Sequence, residues 1–454
     1  MIPVAERLTL LLRDFFGGEL PIRLRAWDGS EAGPHDAPVV VLRSRRALRR
    51  LVWQPDELGL AQAYISGDLD IEGDLGEGLS AVWRAVRERS LSGATAGLAD
   101  RARAAAAAVR LGAVGPRPPE PGARRAKLRG TLHSTARDRS AISHHYDLSN
   151  DFYAALLDET MAYSCGYWTR PDDPSYGPVD SQHDKLELIC RKLGLTPGAR
   201  LLDVGCGWGS LTLYAAREFK ARVTAVTLSR QQRDFVAARV REQGLEELVE
   251  VELRHYRDID ADPGSFDAVS TVEMGEHVGD DEYPAFAALL FRMLKPRGRL
   301  FVQQMSRGAN APGGGAFIES YIAPDMHMRP VGDTLNLLEG AGFEVRAAES
   351  LREHYVRTVA AWHRTLEDDW DTFVGMVGEP TARVWRLYLV GGGLAFAERR
   401  MGVDQIVAVR PTRQGEAAMP ATLRDWYDLD DRDRRDLGAP DGTGGGAGRA
   451  EGPR

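Results

Sequence analysis

Two stretches of this chain combine residue types and spacing that could do chemistry. The first is Arg200-Leu-Leu-Asp-Val-Gly-Cys-Gly-Trp-Gly209, an apolar run ending in Asp203 and followed by glycines at alternate positions. Such glycines let the backbone turn tightly and bring it close to a ligand at the head of the next helix. The spacing is G-x-G-x-G and not the G-x-G-x-x-G of a dinucleotide pyrophosphate site, so it fits S-adenosylmethionine better than NAD. The second stretch is Glu273-Met-Gly-Glu-His-Val-Gly279. There Glu276 is the carboxylate best suited to position a base or offset positive charge, and His277 reads as structural.

These residues need elements to hold them. Arg200–Val204 predicts a strand, and Ser210-Leu-Thr-Leu-Tyr-Ala-Ala-Arg217 a helix. Further strands are predicted at 222–227, 249–253, 266–272 and 300–304, with Ser229 capping a helix through Gln231 and Gln232. Strands alternating with helices predict a doubly wound, Rossmann-like α/β sheet that binds its ligand beyond the carboxyl ends of the strands. Strand two ends in Thr227-Leu228 rather than in an acid for ribose hydroxyls, so Gln232 is expected to share that work.

Composition sets the outer bounds. The 454 residues suit two or three domains, and 43% hydrophobic with 27% charged residues is ordinary globular composition. Charged residues interrupt the first 18 positions, which predicts no signal peptide and a cytoplasmic chain. Cys165, Cys190 and Cys206 are too scattered for a disulfide framework or a thiolate metal site. A net charge of -8 argues against wholesale nucleic-acid binding.

Residues 1–100 read as a small α+β accessory domain, with Val39–Leu42 a strand entering a basic helix and residues 61–74 a short helix and a polar, turn-rich segment. Residues 101–140 hold ten basic residues against two acidic and a proline-rich run, predicting a stiff cationic linker. Attraction of that linker to anionic lipid is the sharper expectation, and a solvated linker the plainer one. Residues 141–412 carry the catalytic fold. Residues 413–454, with alternating Asp and Arg before a glycine run, predict a largely disordered tail.

Upstream of the glycine turn lie Ser143-His-His-Tyr-Asp-Leu-Ser-Asn-Asp-Phe-Tyr153 and Met161-Ala-Tyr-Ser-Cys-Gly-Tyr-Trp168, and downstream Phe317-Ile-Glu-Ser-Tyr-Ile322. With the two stretches above, these resemble the cyclopropane-fatty-acid synthase family over roughly residues 140–410. The resemblance implies methyl transfer from S-adenosylmethionine to the cis double bond of a phospholipid acyl chain, by an enzyme that touches the inner face of the membrane and forms a homodimer. It implies cofactor contacts from Tyr163, Ser164, Asp203, Gly205, Gly207, Thr227, Leu228, Gln232, Tyr256 and Arg257. It also implies a bicarbonate ion held by the Cys165 backbone, Glu276 and Tyr355.

An alkene is a poor nucleophile without an acidic proton, so such a catalyst must align it with the methyl donor and shelter the resulting cation. The aromatic faces of Tyr146, Tyr163, Tyr167, Trp168 and Tyr355 are candidates for that shelter. The family pattern ends the fifth strand in a histidine that holds bicarbonate, with an apolar residue two positions later. Here Gln304 and Ser306 are assigned to those places, and glutamine neither titrates nor carries charge. That departure, with Ala323-Pro-Asp-Met-His-Met-Arg-Pro330, inclines the resemblance toward the tuberculostearic acid methyltransferases. Those make 10-methylene chains for a flavoprotein reductase; cyclopropane closure is the alternative product, and methylation of a soluble metabolite the remoter one.

Overall fold

The computed structural model describes residues 2–16, 18, 21–88, 106, 109–126, 128–146, 148–308 and 314–427. Seven strands form the main sheet: β5 (Arg200–Val204), β6 (Arg222–Thr227), β7 (Val249–Leu253), β8 (Phe266–Val272), β9 (Leu294–Ser306), β10 (Glu344–Ser350) and β11 (Gly402–Val409). Their order is β10-β11-β9-β8-β5-β6-β7, parallel except that β11 runs antiparallel to both β9 and β10. The order reverses at β5, where a doubly wound sheet opens a crevice for ligand. All five predicted strands are present; β10 and β11 are additions.

Apolar residues of β5, β6, β8 and β9 are buried on both faces, as a parallel sheet covered by helices requires. One face packs on helices Pro178–Leu193 and Ser210–Phe219, the other on Tyr283–Met293 and Val331–Gly340. Helix Pro178–Leu193 begins with a proline in its first turn and stops at Gly194 in the left-handed conformation, φ 66°.

Residues 23–72 build a separate four-stranded sheet of order β2-β1-β3-β4, from β1 (Arg23–Arg25), β2 (Glu31–Ala32), β3 (Val39–Leu42) and β4 (Leu69–Glu72). The basic helix predicted after β3 spans Arg45–Trp53, capped by the Ser44 side chain. β4 occupies the stretch read as a polar turn: Leu69 is buried, and all four residues pair with β3.

Helix Glu379–Ala397 joins the two parts. Its Val390 lies in the core of the small domain and its Trp385 in the catalytic core, while Arg383 reaches Asp70 at 3.1 Å.

The cationic stretch is more than a linker. Leu111 is buried in the core of the small domain and Ala123 in the packing between the domains, and helix Thr135–Tyr146 crosses the predicted boundary at 140. Its alanine run lies almost wholly outside the described residues. The expected loose tail is likewise corrected as far as it is described: Trp426 is 3% exposed against the main core. Residues 428–454 lie outside the described residues.

Candidate active site

The glycine turn sits where the sheet order reverses. Gly205, Gly207 and Gly209 have φ of 82°, 54° and 81°, a region that side chains disfavour. A Cβ on Gly205 would lie 2.8 Å from Met274 Cγ, and one on Gly209 2.9 Å from Val236. One on Gly207 would meet open space, because Gly207 lines a cleft that opens to solvent.

Of the residues assigned to the cofactor, Tyr163, Ser164, Asp203, Gly205, Gly207, Thr227, Leu228, Gln232 and Tyr256 line this cleft. Asp203 works through the loop: its two oxygens accept from Thr212 Oγ1 at 2.7 Å and Ser270 Oγ at 2.8 Å, fastening the strand to the helix. Thr227 donates to Gln232 Oε1 at 2.7 Å, which leaves Gln232 Nε2 buried without a hydrogen-bond partner among the described residues. A buried donor facing the cleft fits a ribose or adenine acceptor. Arg257 does not line the cleft, since its guanidinium turns away to Tyr256 Oη and the His133 carbonyl.

Two of the groups expected to hold bicarbonate gather instead around a side chain of the protein itself. The Cys165 N–H donates to Glu273 Oε1 at 2.9 Å, Gln303 Nε2 donates to the same oxygen at 2.9 Å, and Tyr355 Oη donates to Glu273 Oε2 at 2.7 Å. Two of the three groups assigned to bicarbonate, the Cys165 N–H and Tyr355 Oη, therefore already hold a carboxylate, that of Glu273. Residues so engaged do not fit an additional anion, which would face like charge and find its donors taken.

Glu273 sits at the end of β8 with φ 51°, a left-handed conformation that costs a non-glycine residue about 1 kcal/mol. The three donors outweigh that cost, because hydrogen bonds to a charged group contribute about 1.5–3 kcal/mol each. Burial raises the Glu273 pKa, opposed by these donors and by the Lys185 charge.

Two assignments are thereby corrected. Glu276 lies on the one-turn helix Gly275–His277, off the cleft, and accepts from the Met305 N–H. Burial and the neighbouring Glu273 charge push its pKa to about 8, so it is mostly protonated at neutral pH. Gln304 also faces the wrong way: it accepts from Tyr283 Oη and donates to Thr334 Oγ1, against the helices of the opposite face. Successive strand residues point to opposite faces, so the site glutamine is its neighbour Gln303.

Lys185 was not anticipated. It is buried on the cleft wall, donates to Ser164 Oγ at 2.7 Å, and burial lowers its pKa to about 8. A lysine among Leu186, Ile189 and Leu193 on the buried face of one helix was the available clue. His277 also reaches the cleft, with burial holding its pKa down at about 4, so it is neutral.

The aromatic shelter is a tertiary assembly. Tyr163 packs on Tyr153, Trp362 and Trp385 with ring centroids 5.2–6.2 Å apart, and Tyr153 packs on Trp208 of the glycine turn at 4.4 Å. Tyr355 closes the group against Trp362 and Phe396. Tyr167 and Trp168 stand behind this cage, bonded to Glu349 and Thr358 respectively. The Tyr146 side chain lies outside the described residues.

A seven-stranded sheet of this order, with a glycine turn after the strand at its reversal, defines a class I S-adenosylmethionine-dependent methyltransferase. Residues 133–406 match the family model described as mycolic acid cyclopropane synthetase, and the chain belongs to that family. It is 36% identical over 424 residues to "Probable fatty acid methyltransferase Rv3720" of Mycobacterium tuberculosis, covering 90% of this chain and 95% of that one. It is 29% identical over 408 residues to tuberculostearic acid methyltransferase UfaA1 of the same organism, covering 86% and 88%. Among solved structures, mycolic acid cyclopropane synthase CmaA1 complexed with SAH and CTAB superposes with a TM-score of 0.55 and 28% identity. That match covers 60% of this chain and 97% of CmaA1.

Proposed function

We propose that the protein methylates the cis double bond of an oleoyl chain in a membrane phospholipid, leaving a 10-methylene chain for a flavoprotein reductase. It works at the inner face of the membrane, as a homodimer. The observation that carries this reading is the Glu273 carboxylate, held by three donors where the cofactor cleft meets an aromatic cage. Methylation of an amine or hydroxyl needs no cation shelter. Addition to an alkene needs both a shelter and a base.

S-adenosylmethionine would supply an electrophilic methyl on a sulfonium, the electron pair of the broken S–CH3 bond remaining on the sulfur of the S-adenosylhomocysteine that leaves. Gln232 and the glycine turn hold the nucleoside, and the cage presents π faces to the positive charge that methyl addition leaves on the acyl chain. The Glu273 charge offsets that cation from a water-poor wall. Its Oε1 accepts two hydrogen bonds and its Oε2 one, so Oε2 keeps a lone pair for a proton.

After a hydride shift to the adjacent carbon, the added methyl loses a proton to Glu273 Oε2, and the C–H electron pair forms the exocyclic double bond. Loss of the proton before the shift would close a cyclopropane with the same pair. The Cys165, Tyr355 and Gln303 donors, and after them the Lys185 charge, oppose the burial that raises the Glu273 pKa, and no step uses bicarbonate.

The test is mass spectrometry of lipids from an oleate-making host expressing the chain. The expected product is heavier by one CH2, and mild hydrogenation converts it to a methyl branch. A chain of that mass that resists hydrogenation identifies a cyclopropane. Methyl label found only in soluble acceptors overturns the reading.

A further inference from the structure

Helix Arg45–Trp53 and the first part of the cationic stretch meet in one basic surface with exposed apolar tips. Helix Arg45–Trp53 of the small domain carries Arg45, Arg46 and Arg49 and ends in Val52 and Trp53, which are 47% and 55% exposed. The chain at 109–117 folds against this helix. Trp53 Nε1 donates to the Gly115 carbonyl at 3.0 Å and Arg49 Nε to the Ala113 carbonyl at 3.1 Å. These contacts bring Val114, 57% exposed, beside the indole, with Val109, Arg110 and Arg117 on the same short segment.

Acidic residues answer only part of this charge. Asp68 is buried between Arg46 and Arg50, and Glu120 is shared by Arg117 and Arg125. An exposed tryptophan and valines ringed by arginines have the composition of an interfacial anchor: apolar side chains enter the acyl boundary while the guanidiniums meet anionic headgroups.

We propose that this surface docks on an anionic lipid bilayer. The proposal deepens the reading above by naming where that enzyme meets its substrate. The neighbouring helix Glu57–Ile65 packs directly on Arg45–Trp53 and, through Leu58, Ala61 and Ile65, on Phe317, Ile322 and Ala323. Pro324 and Asp325 follow at once and line the cofactor cleft. One helix thus separates the docking surface from the wall of the site.

The test uses the full-length protein and sedimentation with phosphatidylcholine vesicles containing 0 or roughly 30% phosphatidylglycerol, at low and high salt. Binding should require phosphatidylglycerol and weaken with salt. Each arginine at an anionic surface is worth about fivefold in partitioning. The R45Q/R110Q/R117Q triple variant should therefore bind on the order of a hundredfold more weakly. W53S/V114S should lose binding that high salt does not remove from the wild type.

Unchanged affinity for S-adenosylmethionine shows that both variants are folded. Vesicle binding indifferent to phosphatidylglycerol, or undiminished in both variants, overturns the proposal. So does tighter binding to a DNA duplex, lost in the arginine variant but retained in W53S/V114S. Vesicle binding needs no turnover, so a protein that docks as described but methylates no lipid refutes the function and leaves the docking surface standing.

Discussion

The two walls of the cleft are built differently. The cofactor wall is one continuous stretch, Asp203 to Ser210, with Thr227–Gln232 beside it at the end of the next strand. The reaction wall gathers Cys165, Glu273, Gln303 and Tyr355 with the rings of Tyr163, Trp362 and Trp385, from segments spread over more than two hundred positions. A wall made by backbone conformation tolerates few sequences. A wall made by side chains converging from many elements leaves no compact trace.

The sharpest test of this contrast is the carboxylate of the reaction wall. Glu273→Gln keeps the shape and removes the base, and turnover should fall roughly 10²-fold or more, the usual contribution of a positioned general base. Calorimetry should find S-adenosylmethionine affinity within about twofold of the wild type, since that affinity belongs to the other wall. Near-normal turnover would remove Glu273 from the mechanism.

Gly205→Ala tests the cofactor wall. The new Cβ must displace Met274 at a φ that costs about 1 kcal/mol by itself. Cofactor affinity should weaken by roughly tenfold and the urea midpoint should fall, whereas changes of similar volume at Trp362 or Trp385, which do not line the cleft, should spare affinity.

Glu276→Gln should have the smallest effect on rate, because that group is already mostly protonated at neutral pH. Its effect lies in stability. Glu276 loses its proton near pH 4.5 when unfolded but near pH 8 when folded, so folding takes up a proton between those values. Wild-type stability therefore declines as pH rises through that window, by at most about 1.4 kcal/mol for each step of one in pH. Glutamine does not titrate. The melting temperature of the variant relative to the wild type should accordingly climb from pH 5 to pH 8, and a flat difference would contradict the buried, protonated state.

Much of the fold was legible because its parts are periodic and local. The glycine spacing and five apolar strands identified the sheet and the end at which it binds its ligand, and Ser229 was recognisable as a cap. β4 was missed because Asp70 and Glu72 read as turn residues, although pairing with β3 and the Arg383 contact hold them in place. The basic stretch and the first part of the tail looked solvated because the apolar residues that dock them, Leu111, Ala123 and Trp426, are single and widely spaced.

At the site, Cys165, Tyr355 and Tyr163 were found through motif resemblance. Glu273 and Glu276 lie three residues apart, and the turn between β8 and the short helix decides which one reaches the cleft. Gln303 and Gln304 differ only in strand phase, and a slip of one position inverts the face. No local pattern fixes either choice; the packing of Tyr283 and Thr334 around Gln304 does.

Helix Glu379–Ala397 gives the small domain a share in the cage. The same rigid rod places Trp385 against Tyr163 and Val390 in the core of the accessory domain. The two cores are therefore mechanically in series: a load taken up where the small domain rests on a surface reaches the aromatic rings without crossing a flexible joint.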